Sequence, residues 1–197
     1  PQADDVITPE YLVACVREAI GPDAVVLTEA VANYPVVSQH LRSSRPGTLY
    51  GSGGGSLGWA GGAAVGTKLA APDRTVVSLV GDGSYLFGVP ASAQWLARRQ
   101  AAPSLTVIFD NQGYRTPFLS TIAVHPDGEA VRTGFKVSFQ PEADLAGVAA
   151  AAGGAYGCTV TAAARLPETL REALAEVAAG RSACLLYTSD AADDLTR

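Results

Sequence analysis

The chain contains the apolar run Thr75-Val76-Val77-Ser78-Leu79-Val80, and Gly81-Asp82-Gly83-Ser84 follows it directly. A second run, Leu105-Thr106-Val107-Ile108-Phe109, ends in Asp110-Asn111-Gln112-Gly113. Both runs are short, rich in β-branched residues and closed by turn residues, which is typical of buried strands. Residues 86–100 between them are helix-like, so we predict a β-α-β unit. The two turns then lie at the carboxyl ends of neighbouring parallel strands, where ligands bind in open α/β sheets.

These two turns offer oxygen atoms as ligands. Asp82 provides a carboxylate, Asn111 a carboxamide and Gly113 a backbone carbonyl. Such a set suits a hard cation such as Mg²⁺, which often completes its coordination with substrate phosphates. Ser84 and the N–H groups after Gly83 could hold a phosphate at the start of the following helix. Taken alone, Asp82 fits an ordinary Asp-Gly turn, and it is the position of Asn111 at the next strand end that favours a metal site.

With these residues the chain resembles the thiamine-diphosphate-dependent 2-oxo acid decarboxylases and carboligases. The resemblance rests on Gly81-Asp82-Gly83, a spacer from Ser84 to Phe109, and the pair Asp110-Asn111, where the family usually has Asn-Asn. It extends upstream through residues 54–60 and 66–74, and it is greatest for the acetolactate synthase and benzoylformate decarboxylase branch. It covers only the diphosphate-binding domain of those enzymes. The fold it implies is an α/β domain, a parallel sheet with helices on both faces.

The resemblance also implies a role for individual residues. Thiamine diphosphate and Mg²⁺ would be the cofactors, and Leu57 would be the apolar wedge that bends thiamine diphosphate for catalysis. Gly55 would offer its carbonyl to the aminopyrimidine, and Asn33 would lie near the phosphates. The metal ligands implied are Asp82, Asn111 and Gly113. The cofactor-binding residues implied are Asn33, Gly55, Leu57, Gly81, Asp82, Gly83, Ser84, Asn111, Gly113 and Tyr114.

The implied function is decarboxylation or carboligation of 2-oxo acids by an acetolactate synthase-like enzyme. In the family an activating glutamate comes from a separate pyrimidine-binding domain, and no residue here matches it. Glu29 ends a predicted strand, but in the wrong type of domain. We therefore expect a C-terminal fragment that is inactive alone and forms a homodimer or homotetramer when full length. The alternatives are a dinucleotide-binding oxidoreductase domain, because residues 53–58 also fit GxGxxG, and a catalytically inactive α/β binding module.

Composition excludes several classes of protein. The net charge is −5, and no cluster of Lys and Arg indicates a nucleic-acid surface. No apolar run reaches the length of a membrane span, and no signal peptide is visible. The three cysteines, Cys15, Cys158 and Cys184, are odd in number and far apart. They fit reduced thiols, and we expect a cytoplasmic protein.

The chain is long enough for one domain, which we predict over residues 1–184. We expect residues 185–197 to be a non-native or disordered tail of an incomplete gene product, since they turn acidic and the chain has no methionine. A natural polar tail is the alternative. Separately, the pattern of Ala183–Tyr187 is compatible with a last strand. Residues 113–134 contain Pro117, Pro126 and Gly128, and we predict an irregular functional loop there. The helix predicted over Leu57–Ala71 should pack closely on the sheet, because four of its residues lack bulk: Gly62, Ala63, Ala64 and Gly66.

Overall fold

An all-parallel β-sheet forms the centre of the computed structural model, which describes residues 6–133 and 137–188. Its strands in that part of the chain are β1 (Val25–Glu29), β2 (Leu49–Gly51), β3 (Val76–Gly81), β4 (Leu105–Asp110), β5 (Tyr156–Val160) and β6 (Ala183–Thr188). They are ordered β2-β1-β3-β4-β6-β5. Strands β3 and β4 are neighbours, as the β-α-β prediction requires. Their carboxyl ends carry the two turns singled out from the sequence.

Helices cover both faces of this sheet. They are α1 (Pro9–Ala19), α2 (Tyr34–Leu41), α3 (Ala60–Ala70), α4 (Asp82–Phe87), α5 (Pro90–Arg99), α6 (Arg115–Val124), α7 (Glu129–Arg132), α8 (Leu145–Gly153) and α9 (Leu166–Ala178). Successive strand residues point to opposite faces. In β4, Val107 and Phe109 therefore pack in one cluster with residues of α1, α2 and α9, whereas Ile108 packs with residues of α3, α4 and α8. The predicted fold class is confirmed.

Two predictions about helices are wrong in detail. The segment 86–100 is not one helix, because Val89 adopts a left-handed conformation with φ of 50° between α4 and α5, and Pro90 begins the second helix. Residues 113–134 are not wholly irregular, because they contain α6 and α7. Pro117 lies in the first turn of α6, where its missing N–H breaks no intrahelical bond.

The expected close packing of α3 on the sheet is confirmed at Ala64, which shares a buried cluster with residues of β1 and β3. The same expectation is wrong for Gly62 and Gly66. A Cβ atom added at either glycine would meet no heavy atom within 4 Å, and both residues are exposed. Ala60 and Ala64 are the small residues of α3 that are buried. The helical period of 3.6 residues explains this, because residues four apart share a face and those two apart point away from each other.

The domain boundary predicted after Cys184 is wrong as well. Leu185, Leu186 and Tyr187 are at most 2% exposed. They lie in β6, between β4 and β5. The last strand expected over Ala183–Tyr187 is confirmed and extends to Thr188, because the apolar run continues until the acidic residues start. The rest of the predicted tail, residues 189–197, lies outside the described residues. Across the part of the chain that the structure describes, no helix is long and apolar enough to cross a membrane.

Candidate functional site

All the cofactor-binding residues predicted from the sequence line one cleft. The cleft lies at the carboxyl ends of β1, β3 and β4, and the loop before α3 closes one side of it. Its lining includes Asn33, Gly55, Leu57, Gly81, Asp82, Gly83, Ser84, Asn111, Gly113 and Tyr114. Because these residues come from four separate segments, it is the parallel sheet that brings them together.

Asp82 connects the two predicted turns by hydrogen bonds. Its side chain is buried, with Oδ1 accepting the Gly83 N–H at 2.7 Å and Oδ2 accepting the Gly113 N–H at 2.9 Å. Burial raises the pKa of Asp82; the Gly83 and Gly113 amides lower it, and the nearby charge of Asp110 raises it further. A cation in the cleft would oppose this shift and favour the ionised carboxylate.

Asn111 presents a buried acceptor without a donor. Within the described residues its Oδ1 atom has no hydrogen-bond partner. A buried acceptor left unpaired costs free energy, so such atoms in native proteins require a reason. A cation held jointly with Asp82 would satisfy it. The described residues contain no group of three or more His, Cys, Asp or Glu side chains that could hold a metal. With the Asp82 carboxylate and the neutral Asn111 oxygen as ligands, the residues present fit Mg²⁺.

Gly113 and Tyr114 form a tightly packed wall of the cleft. The Gly113 carbonyl accepts the Arg115 N–H at 3.2 Å, which leaves one of its lone pairs for a further partner. The Tyr114 hydroxyl donates to the Gly83 carbonyl at 3.5 Å, and its ring meets Phe139 edge-on. A Cβ atom on Gly83 would lie 2.6 Å from the Tyr114 ring. Glycine is therefore the residue that fits beside Tyr114.

Ser84 lines the cleft but directs its hydroxyl proton elsewhere. Its Oγ atom donates to the Glu29 carbonyl at 3.0 Å. The phosphate contact predicted for Ser84 is thus left to its backbone N–H, in the first turn of α4, where N–H groups lack intrahelical partners.

Gly55 and Leu57 approach the cleft from the loop between β2 and α3. Gly55 has φ of 67°, a left-handed conformation that glycine adopts readily. Leu57 is partly buried and offers an apolar surface to the cleft. Asn33, at the end of a 3₁₀ turn over Val31–Asn33 that follows β1, lines it as well.

Residues 30–185 match the family model described as thiamine pyrophosphate enzyme, C-terminal TPP binding domain. The chain belongs to this family. The loop at residues 53–58 is accordingly the glycine-rich loop of a thiamine pyrophosphate-binding domain, and the dinucleotide-binding interpretation loses its support.

Two curated proteins and one solved structure are similar to this chain. The acetolactate synthase large subunit of Parasynechococcus marenigrum is 36% identical over 89 residues, which are 45% of this chain and 14% of that protein. Benzoylformate decarboxylase of Pseudomonas aeruginosa is 33% identical over 100 residues, 50% of this chain and 19% of that protein. The solved thiamine diphosphate-dependent 4-hydroxybenzoylformate decarboxylase of Rhodococcus jostii RHA1 superposes with a TM-score of 0.79 at 26% identity, over 97% of this chain and 34% of that one. The chain therefore spans a fifth or less of the length of these two sequence relatives.

Sequence reasoning did not single out one charged residue that lines this cleft. Arg115 is the only cationic side chain in its lining, and no ion pair or hydrogen bond of its guanidinium occurs within residues 6–133 and 137–188. The sequence does contain a signal for this residue, because Arg115 is the only Asp, Glu, Lys or Arg between Asn111 and Pro126.

Proposed function

We propose that this chain is the diphosphate-binding part of a Mg²⁺-dependent enzyme that decarboxylates or carboligates 2-oxo acids, of the acetolactate synthase and benzoylformate decarboxylase type. The observation that carries the metal assignment is the buried, unpaired Oδ1 atom of Asn111 at the strand end next to Asp82. Family membership supports the cofactor, and the names of the relatives support the class of substrate.

In this proposal the chain's residues divide into three groups. Asp82, Asn111 and the Gly113 carbonyl hold the metal. Leu57 would support the cofactor, and the Gly55 carbonyl would accept the amino group of its pyrimidine. Asn33, Tyr114 and the amides at the start of α4 would bind the diphosphate. When bound, thiamine diphosphate supplies the electron sink that loss of CO₂ from a 2-oxo acid needs.

Arg115 completes the charge balance of the proposed site. A diphosphate is a polyanion, and Asp82 adds a further negative charge to the cleft. A divalent metal offsets only part of that charge. Arg115 is partly buried and without an ion pair among the described side chains. Its guanidinium is suited to a phosphate oxygen, because arginine forms strong, directed bonds to phosphates.

The activating glutamate belongs, in our proposal, to a separate pyrimidine-binding domain. The described residues that line the cleft include no glutamate, and the carboxylate of Glu29 already accepts two backbone N–H groups. We therefore expect background activity from this chain alone, and activity when a matching pyrimidine-binding domain is supplied. We further propose that the full-length enzyme is a cytoplasmic homodimer or homotetramer, which agrees with the three unpaired cysteines.

Calorimetry tests the proposal directly. Thiamine diphosphate should bind this chain in the presence of Mg²⁺. Its affinity should fall at least about tenfold in EDTA, which removes the metal, and in Asp82→Asn, which removes a charged ligand of the metal. Asp73→Asn, in a turn before β3, is the matched control and should bind normally. NAD should give no heat. Binding of thiamine diphosphate that is unaffected by both EDTA and Asp82→Asn would overturn the metal assignment.

A further inference from the structure

Glu29 is a buried carboxylate whose bonds go to a neighbouring loop. It is the last residue of β1 and is 1% exposed. Its Oε1 atom accepts the N–H of Gly58, and its Oε2 atom accepts the N–H of Ala60 at 2.8 Å. No ion pair neutralises it among the described residues. Burying a carboxylate without an ion pair is costly, so these bonds to the loop must compensate for lost hydration.

Glu29 connects β1 with three other segments, which are α4, the loop before α3, and the start of α3 itself. Its backbone belongs to β1, and its own carbonyl accepts the Ser84 hydroxyl of α4 at 3.0 Å. Its carboxylate reaches the end of residues 52–59, which we call the glycine loop, and the first residue of α3. Burial raises the pKa of Glu29, and the amides of Ala60, Gly58 and Trp59 lower it. The carboxylate is thus held by the backbone of another element.

Apart from its bonds to Glu29, the glycine loop is attached at its end by Trp59, which packs against two buried clusters. Its glycines contribute little further contact. A Cβ atom at Gly53, Gly54 or Gly55 would meet nothing within 4 Å in the described chain. Inside the loop the backbone forms a turn in which the Gly55 N–H donates to the Ser52 carbonyl at 3.4 Å. Gly58 is different, because a Cβ atom there would lie 3.1 Å from the Gly88 Cα atom. The loop is therefore fixed at Gly58 and open at its tip.

We propose that Glu29 is the positioning residue of the glycine loop, whose carboxylate fixes Gly58 and Ala60 and so holds Gly55 and Leu57 at the cleft. The role of Gly55 and Leu57 there rests on the proposed function, whereas the attachment of the loop does not. Glu29 acts through the backbone and needs no contact with cofactor or substrate.

Amide hydrogen exchange on the metal-free chain tests the attachment. The amides of Gly58 and Ala60 should exchange at least about tenfold more slowly than those of Gly53 and Gly54, because bonds to a charged acceptor are strong. In Glu29→Gln this protection should fall by about tenfold or more, since the amide NH₂ group then faces a backbone donor. Val77→Ala, which weakens β3 without touching the loop, is the control and should leave the protection of Gly58 and Ala60 relative to Gly53 unchanged.

The affinity for thiamine diphosphate in Mg²⁺ is the second measurement. Glu29→Gln should weaken binding by about tenfold, while Val77→Ala should stay within about twofold of the parent chain. Unprotected Gly58 and Ala60 amides in the parent chain would overturn the inference, even if Glu29→Gln fails to fold. A folded Glu29→Gln with normal protection and affinity would also overturn it. Slow exchange in a parent chain that does not bind thiamine diphosphate would support the attachment and contradict the proposed function.

Discussion

At the scale of single residues, the unpaired oxygen of Asn111 opposes stability in the metal-free chain. We predict that Asn111→Leu raises the free energy of unfolding by about 1 kcal/mol, because an unsatisfied buried acceptor is replaced by an apolar group of similar shape. The same variant should lose Mg²⁺-dependent binding of thiamine diphosphate. Urea denaturation in EDTA measures the first effect and calorimetry the second.

A buried hydroxyl with a partner provides the control for Asn111→Leu. Thr169 donates from Oγ1 to the Arg165 carbonyl at 3.0 Å, and neither residue lines the cleft. Thr169→Val should therefore lower the free energy of unfolding and leave binding unchanged. If Asn111→Leu instead destabilises the chain as much as Thr169→Val does, the Asn111 oxygen has a partner in the folded chain and the metal assignment loses its main support.

Arg115 gives a second prediction at this scale. Arg115→Ala should lower the affinity for thiamine diphosphate in Mg²⁺ by about tenfold, because a charge-assisted bond to phosphate is lost. Arg115→Lys should lose less of this affinity, because lysine keeps the positive charge. The affinity for thiamine, which has no phosphates, should not change. Arg132→Ala, on the exposed helix α7, is the control. Equal losses for thiamine and thiamine diphosphate would show that Arg115 acts on the fold and not on the diphosphate.

At the scale of elements, two helical glycines should respond oppositely to alanine. Gly66 in α3 is exposed with open space at its Cβ position, so Gly66→Ala should stabilise the chain by about 0.5–1 kcal/mol. Gly153 ends α8, and a Cβ atom there would lie 2.7 Å from the Gln94 carbonyl oxygen of α5. Gly153→Ala should destabilise the chain by about 1–3 kcal/mol, as overpacking does. Denaturation midpoints measured at an unchanged m-value would decide, and two shifts of the same sign would contradict the packing described.

Sequence patterns locate some of these helices and strands and not others. Strands β3 and β4 were placed within one residue, because each is a continuous apolar run ended by turn residues. Helix α6 was missed, since none of its residues is buried and its sequence therefore lacks an apolar face. The break at Val89 was missed because β-branched residues rarely adopt positive φ. It adjoins Gly88, which packs against Gly58, a residue far away in sequence.

The residues of the candidate site also divide into those that sequence patterns locate and those that they do not. The turns at Asp82 and Asn111 were found because they follow adjacent strands at a readable spacing. The attachment of Glu29 to Gly58 and Ala60 was not found, because it joins residues about thirty apart across a loop of mostly glycine. Such contacts depend on the completed fold, and no local pattern of residue types encodes them.

At the scale of the whole molecule, Cys184 reports on the integrity of the sheet. It is fully buried in β6, and burial raises the pKa of its thiol to about 12. Because the thiolate is the reactive form, we predict that Cys184 resists an aromatic disulfide reagent in the folded chain. With Cys15 and Cys158 changed to alanine, labelling should require opening of the sheet and should accelerate with urea as unfolding does. Labelling in native buffer at the rate of a small free thiol would contradict the buried β6.

The place of β6 in the sheet has a consequence for synthesis on the ribosome. Within the described sheet, β5 pairs with β6 and with no other strand, and β6 fills the gap between β4 and β5. A nascent chain that has released everything up to α9 still exposes the open edges of β4 and β5 to other polypeptides. We therefore expect this domain to be most prone to aggregate, and most dependent on chaperones, in the interval of translation before β6 has emerged.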